Sequence, residues 1–175
     1  MKADRLSPLF DEKTIRRRVA VLARQVDACY GEEPLVTICV LKGACIFFSD
    51  LIRKLKCRPV LDFVALSSYG NRICTSGDVA LVKDVSAELE GKHVLVVEDI
   101  MDTGHSMRWL LEHLRTFRPR SLRLIVLIDK RERRAVPVEA DFCGFRVAGD
   151  FIVGYGLDYA EQYRTLPALY TLAPD

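Results

Sequence analysis

The stretch over residues 93–114 constrains the fold of this chain most, because it joins an apolar run, an acidic loop and an amphipathic segment without a break. Its first part, HVLVV, is rich in branched apolar residues and is typical of a strand buried on both faces. After Gly104 the apolar residues recur at helical spacing. A buried strand that leads directly into a helix is the repeating unit of parallel sheets, whose ligand sites lie at the carboxyl ends of the strands.

The remainder of the chain follows the same alternation. Residues 11–30 carry apolar side chains at intervals of three and four, which predicts a helix with one buried face. Residues 35–41 predict a buried strand, followed by a tight turn and a helix over 44–56. We predict an α/β fold with a mainly parallel central sheet flanked by helices. Further strands are predicted over 59–66, 78–85 and 121–130, a mobile loop over about 67–77, and an irregular appendage from 150 onward.

Length and composition narrow the possible classes. The 175 residues suit one domain, and 26 Lys+Arg against 24 Asp+Glu leave a net charge of only +2, so we expect no nucleic-acid partner. The six cysteines show no C-x-x-C spacing, which favours buried thiols in a reducing compartment over a disulfide or zinc framework. No signal peptide and no run of roughly 18 apolar residues is present, which predicts a cytoplasmic protein without membrane contact.

Three carboxylates lie close together between the predicted strand and helix, at Glu98, Asp99 and Asp102. Neighbouring side chains point to opposite sides of a strand, so Glu98 and Asp99 could hold a diol or a hydrated magnesium ion. The following residues, 102–106, offer backbone N–H groups, two hydroxyls and a helix N-terminus, which together suit a phosphate monoester. The alternative is a helix cap beside a solvated strand end. Neither a P-loop nor a complete dinucleotide-binding glycine motif is present.

The segment VVEDIMDTGHSM resembles the phosphoribosyl-pyrophosphate motif of type I phosphoribosyltransferases, in particular that of the hypoxanthine-guanine branch. The likeness extends over nearly the whole chain. It implies the type I phosphoribosyltransferase fold over residues 1–175, with a small base-binding hood from the termini, a mobile loop and a base-binding tail at about 150–167. It also implies transfer of a phosphoribosyl group to N9 of hypoxanthine or guanine, which gives IMP or GMP and pyrophosphate.

By this resemblance, Asp102 faces purine N7 as the general base, while Glu98 and Asp99 bind the ribose hydroxyls, partly through Mg²⁺. The 5′-phosphate is expected in a loop whose members include His105, which stands at a variable position of the motif and is assigned no chemistry. The members of this loop are Asp102, Thr103, Gly104, His105 and Ser106.

The resemblance also assigns the pyrophosphate site. It places Lys42 and Gly43 in the pyrophosphate loop, where the family often has a non-proline cis peptide, and it adds the positive charge of Arg164. Without the resemblance, Lys42-Gly43 is an ordinary turn and Arg164 a surface residue.

For the purine, the resemblance implies that Lys130 donates to the 6-oxo group and that Phe151 stacks on the base. Ile152 and Asp158 complete the purine edge, and Asp158 joins Glu98 and Asp99 as a metal ligand. Taken alone, the apolar run around Phe151 favours a core position for that ring.

The segment around Ser68 and Tyr69 resembles the family's hood loop, which closes over the reactants and excludes water. The alternative is an exposed tyrosine on a flexible loop.

Two other functions stay open from the sequence. One is a regulator on the same fold that binds RNA or DNA, although the arginine-rich residues 16–18 and 131–134 are interpreted as solvated faces or subunit contacts. The other is an enzyme of the same class that acts on xanthine or a pyrimidine. We expect a homodimer or homotetramer from the resemblance.

Overall fold

The computed structural model describes residues 6–68, 79–149 and 151–173. Nine strands and three α-helices lie within these ranges. They follow in the order β1 (Leu6–Phe10), α1 (Glu12–Tyr30), β2 (Leu35–Leu41), α2 (Cys45–Ile52), β3 (Val60–Ser68), β4 (Val79–Lys83), β5 (His93–Met101), α3 (His105–Arg115), β6 (Ser121–Asp129), β7 (Phe142–Arg146), β8 (Phe151–Val153) and β9 (Leu169–Leu172).

Six strands form the central sheet in the order β4-β3-β2-β5-β6-β7. All neighbours are parallel except β3 and β4, which confirms the predicted mainly parallel sheet. Both faces are covered, because Leu95 and Val97 of β5 pack with α1 and α2, while Val94 and Val96 pack with α3. Burial on both faces explains why β2 and β5 consist of continuous apolar runs.

Helix α1 agrees with its sequence signals. The carboxylate of Asp11 accepts a hydrogen bond of 2.7 Å from the backbone N–H of Thr14, and the helix ends at Gly31 with φ of 57°. Helix α2 is shorter than predicted and ends at Ile52. The backbone N–H of Lys56 donates instead to Asp27 of α1, at 2.9 Å, so the chain beyond residue 52 is tied to α1 rather than continued as a helix.

The prediction of an irregular C-terminal segment was wrong, because this segment contributes two strands to a second sheet in the order β1-β9-β8. Both pairs in this sheet are antiparallel and join the two ends of the chain. The sequence signal was weak because β8 has three residues and β9 four, too few for a periodic pattern. Strand β7 was also missed, since Gly144 interrupts its apolar run.

The loop predicted over 67–77 begins later than expected, because Ser67 and Ser68 pair with Ala80 and Val79 in the β3–β4 hairpin. Tyr69 lies outside the described residues. None of the helices in the described part of the chain is long and apolar enough to cross a membrane. The five cysteines within the described ranges are free thiols, but of these only Cys39 is buried and Cys29 is exposed, so the prediction of buried thiols holds for Cys39 alone.

Candidate active site

The carboxylates of Glu98 and Asp99 are both buried near the carboxyl end of β5. The backbone N–H of Asp99 donates to Glu98 Oε1 at 3.1 Å, and that of Ile100 donates to Asp99 Oδ1 at 2.7 Å. Burial raises the pKa of Glu98 well above its usual range, and the adjacent Asp99 raises it further. Burial also raises the pKa of Asp99. Two buried acids in contact are costly for the ligand-free fold, and a cation or a diol that binds them offsets the cost.

Beside these acids, the turn after β2 brings the predicted pyrophosphate loop against Asp99. The Leu41–Lys42 peptide bond is cis, as the resemblance implied. A Cβ atom at Gly43 would lie 1.8 Å from Asp99 Oδ2, and one at Gly156 would lie 2.1 Å from the carbonyl oxygen of Gly43. The end of β5, the turn after β2 and the C-terminal tail therefore meet at two glycines.

The predicted phosphate loop joins β5 to α3. Gly104 precedes the helix with φ of 87°, a left-handed conformation that glycine adopts readily. The side chains of Thr103 and Ser106 are exposed, so both hydroxyls are accessible, and His105 is the first residue of α3. The loop therefore presents a helix N-terminus and two hydroxyls on one open surface.

At the head of this loop, the two oxygens of Asp102 have different surroundings. Oδ2 lies 3.1 Å from a guanidinium nitrogen of Arg133. Oδ1 is buried and has no hydrogen-bond partner among the described residues. A buried acceptor without a partner is rare in folded proteins, and it identifies the atom that a ligand N–H would satisfy.

Arg134 was interpreted from the sequence as solvated, but only 12% of its side chain is exposed. Its guanidinium pairs with the carboxylate of Asp129 and donates to the carbonyl oxygen of Asp102 at 3.0 Å. Arg133 is solvated as interpreted, since 52% of its side chain is exposed, but the pairing with Asp102 was not foreseen. Arg133 and Arg134 both lie within four residues of Lys130. A run of basic residues does not show from sequence alone which arginine is buried and which is solvated.

A chain of ion pairs connects the pyrophosphate loop with the C-terminal tail. Lys42 Nζ lies 3.1 Å from Glu161 Oε2, and Arg164 Nη2 lies 3.4 Å from Glu161 Oε1. The same nitrogen of Arg164 lies 2.7 Å from Asp158 Oδ1, and Arg164 Nη1 donates to the carbonyl oxygen of Gly156 at 2.8 Å. Lys42 and Arg164, both assigned to pyrophosphate by the resemblance, thus belong to one network with Asp158. Glu161, which the sequence analysis missed, joins them.

The residues assigned to the purine lie on two elements. Lys130 is buried directly after β6, and its backbone N–H donates to the carbonyl oxygen of Met101 at 3.0 Å. On β8, Phe151 is 48% exposed and its ring packs edge-on against Tyr159, with centroids 5.4 Å apart. Ile152 is buried and pairs with Thr171 of β9. The exposed ring of Phe151 is therefore not a core residue, and Tyr159 extends the aromatic surface.

Glu98, Asp99 and Asp158 do not form one three-carboxylate cage. The described residues include no group of three or more histidine, cysteine or acidic side chains placed to hold a metal ion. The oxygen donors still suit Mg²⁺, because this ion commonly takes one or two carboxylates together with waters and substrate phosphates.

Comparison with known proteins agrees with this geometry. The model of the phosphoribosyl transferase domain family matches residues 6–160. The hypoxanthine-guanine phosphoribosyltransferase of Aquifex aeolicus is 43% identical over 171 residues, which cover 97% of this chain and 96% of that protein. That of Bacillus subtilis is 40% identical over 174 residues, covering 99% and 97%. A crystal structure of the Bacillus anthracis enzyme, with HEPES in its active site, superposes with a TM-score of 0.92 at 41% identity, covering 95% and 98%.

The chain therefore belongs to the phosphoribosyltransferases, and its fold is that of the type I members. Within the family it belongs with the hypoxanthine-guanine phosphoribosyltransferases, as the sequence motif indicated.

Proposed function

We propose that this chain transfers the phosphoribosyl group of phosphoribosyl pyrophosphate to N9 of hypoxanthine or guanine, giving IMP or GMP and pyrophosphate. The observation that carries the proposal is the buried Oδ1 of Asp102, which has no hydrogen-bond partner among the described residues and lies at the head of the proposed phosphate loop. Similarity to enzymes named hypoxanthine-guanine phosphoribosyltransferase supports the choice of substrates.

In this reaction, Asp102 Oδ1 accepts a hydrogen bond from purine N7–H and takes its proton as N9 forms the new bond. The carboxylate acts without a neutral-range pKa if the proton moves while the bond forms. Arg133 holds the other oxygen, so Oδ1 remains turned toward the base. Positioning of both reactants supplies much of the acceleration.

The donor lies across the phosphate loop and the pyrophosphate loop. Backbone N–H groups and hydroxyls of residues 102–106 bind the 5′-phosphate, while Glu98 and Asp99 face the ribose hydroxyls. Lys42 and Arg164 bind pyrophosphate and neutralise its charge as it leaves. The backbone of Gly43 approaches the same group without a side chain in the way.

Mg²⁺ is the proposed cofactor, and Asp158 together with Glu98 or Asp99 would hold it. It would supply charge neutralisation for the diphosphate. The proposed ligands are oxygen donors, and substrate oxygens and waters complete their number.

On the base side, the ammonium of Lys130 donates to O6, Phe151 stacks on the purine, and the backbone at Ile152 and the side chain of Asp158 line the opposite edge. We propose that Tyr69 belongs to a lid over the reactants, whereas Ser68 is the last residue of β3. We also propose a single domain over residues 1–175 and a cytoplasmic location. A homodimer or homotetramer is proposed as well, and sedimentation of the purified protein tests this oligomeric state.

The proposal is tested by an absorbance assay of purified protein with hypoxanthine or guanine, phosphoribosyl pyrophosphate and Mg²⁺. We expect formation of IMP and GMP that stops when Mg²⁺ is chelated. Absence of nucleotide with either base, from a protein that unfolds cooperatively, would contradict the proposal.

A further inference from the structure

The guanidinium of Arg134 contacts the backbone where β5 passes into the phosphate loop, at Met101 and Asp102. Nε donates to the carbonyl oxygen of Asp102 at 3.0 Å, and Nη2 lies 3.4 Å from that of Met101. The ion pair with Asp129 and a hydrogen bond to the carbonyl oxygen of Val138 anchor the same guanidinium from the other side. Arg134 is thus fixed by the core and in turn fixes the loop.

The direction of these bonds determines where the loop's donors point. In a trans peptide the C=O and the following N–H point in opposite directions. Holding the carbonyl group of Asp102 toward Arg134 therefore turns the N–H group of Thr103 away from it. The carbonyl group of Met101 is also held by the backbone N–H of Lys130, at 3.0 Å. The N–H of Ala135 donates to the carbonyl oxygen of Thr103 at 3.0 Å, which orients the N–H of Gly104 in the same way.

The position of Arg134 also depends on the absence of a side chain at Gly104. A Cβ atom at Gly104 would lie 2.8 Å from Cδ of Arg134, so only glycine leaves room for the arginine at this position. The positive φ of Gly104 and the buried arginine therefore belong to one arrangement of the loop.

We propose that Arg134 is a positioning residue, which aims the N–H groups of the phosphate loop at the 5′-phosphate of the donor and of the product nucleotide. This inference rests on the proposed function. The alternative is that the Arg134–Asp129 pair only stabilises the fold, in which case its loss would not weaken one ligand more than another. A positioning role acts on the 5′-phosphate but not on pyrophosphate, which binds at Lys42 and Arg164, outside the contacts of Arg134.

The test compares the affinities of Arg134→Lys and wild type for GMP and for inorganic pyrophosphate with Mg²⁺, by calorimetric titration. Lysine keeps the charge that pairs with Asp129, but a single ammonium cannot reproduce the planar fork that reaches both carbonyl groups. We expect GMP to bind about 10-fold or more weakly, with pyrophosphate affinity within about twofold of wild type and cooperative unfolding retained. The matched control is Arg131→Lys, since Arg131 lies in the same turn but pairs with the exposed Glu139.

Unchanged GMP affinity in folded Arg134→Lys would overturn the inference, as would a parallel loss of both ligands. If that variant does not fold, Asp129→Asn provides the second test, because it retains Arg134 and removes its anchor. We expect a smaller loss of the same kind, and wild-type GMP affinity there would also reject the inference. Failure of the proposed function is distinct, because wild-type protein would then form no nucleotide and bind no GMP.

Discussion

The carboxylate of Asp99 lies directly against the α-carbon of Gly43, where any other residue would place its side chain. A Cβ atom at Gly43 would come within 1.8 Å of Asp99 Oδ2 and 2.8 Å of its Cγ. The carbonyl oxygen of Gly43 also lies close to Gly156, where an added Cβ atom would come within 2.1 Å of it. The proposed pyrophosphate loop and the proposed ribose-binding acid therefore share one position that admits only glycine.

Gly43→Ala is expected to lower kcat/KM by roughly 10²-fold, because either the turn or Asp99 must move by more than 1 Å. Steady-state kinetics with both substrates varied measures this. Gly91→Ala is the matched control, since no atom lies within 4 Å of the added Cβ although φ is 68°. It should cost stability by about 1 kcal/mol and leave kinetics unchanged. Kinetic constants of Gly43→Ala within twofold of wild type would contradict the steric argument.

Glu98→Gln should stabilise the ligand-free protein at pH 8 while it weakens donor binding. Burial, reinforced by Asp99, raises the pKa of Glu98 from its usual value of 4.5. A carboxyl whose pKa is raised in the folded state contributes most to the free energy of unfolding at pH values below its pKa in the unfolded chain. That contribution is lost as the pH rises through its pKa in the folded state. We expect a gain on the order of 1 kcal/mol at pH 8 that shrinks toward pH 5.

Urea unfolding of wild type and Glu98→Gln at both pH values measures this difference. Glu88→Gln is the control, because that side chain is 80% exposed. A gain of equal size at pH 5 and pH 8 would show that the charge of buried Glu98 is not the cause.

The sequence predicted the parts of this molecule in which one short segment determines the structure. β5, the loop at residues 102–106 and α3 follow from a continuous apolar run and from helical spacing, and the resemblance added roles for their residues. Contacts between distant segments were not accessible in this way. A run of arginines does not show that Arg134 pairs with Asp129 next to the loop, because that pairing depends on how the segment after β6 packs against β6. The resemblance implied a hood formed by the termini, but the strands of the β1-β9-β8 sheet were not predicted from the residues, since they become recognisable only when the two ends of the chain pair.

Asp102→Asn should lower kcat by roughly 10²-fold or more while it changes the KM for phosphoribosyl pyrophosphate little. The amide preserves the shape of the side chain but cannot take the N7 proton. Pre-steady-state measurement of the transfer step separates this effect from slow product release. Thr103→Val is a useful comparison, because it removes a phosphate-loop hydroxyl and should raise KM instead. Wild-type turnover in Asp102→Asn would remove Asp102 as the base.

Glu161→Gln should tighten the binding of inorganic pyrophosphate, by roughly 3- to 10-fold at low salt. Its carboxylate lies 3.1 Å from Lys42 and 3.4 Å from Arg164, the two cations proposed for that ligand. The hydrogen bond from Lys42, with the charges of Lys42 and Arg164, lowers the pKa of Glu161, so the carboxylate competes in its charged form. Titration with pyrophosphate and Mg²⁺ measures the change. Glu12→Gln, an equal charge change on α1, should have no effect, and weaker binding in Glu161→Gln would show that Glu161 positions Lys42 instead.

The choice of base depends on the different demands of Lys130 and Asp158. A lysine ammonium only donates hydrogen bonds, so the buried Lys130 matches the 6-oxo group of hypoxanthine and guanine but faces the 6-amino group of adenine with another donor. A buried mismatch of this kind is costly, and we expect kcat/KM for adenine to be lower by roughly 10³-fold or more.

At the other edge, Asp158 Oδ2 accepts from the backbone N–H of Glu161 at 2.8 Å and Oδ1 lies 2.7 Å from Arg164, so the carboxylate is held as an acceptor. Acceptors here suit the 2-amino group of guanine, and a water can replace that group when hypoxanthine binds. Xanthine presents a 2-oxo acceptor instead, so it should react more slowly than guanine. Specificity constants for the four bases test the two residues separately. A kcat/KM for adenine equal to that for hypoxanthine would reject the role of Lys130. A kcat/KM for xanthine above that for guanine would reject the role of Asp158. Lys130→Gln, whose amide both donates and accepts, should narrow the difference between hypoxanthine and adenine without changing the order of guanine and xanthine.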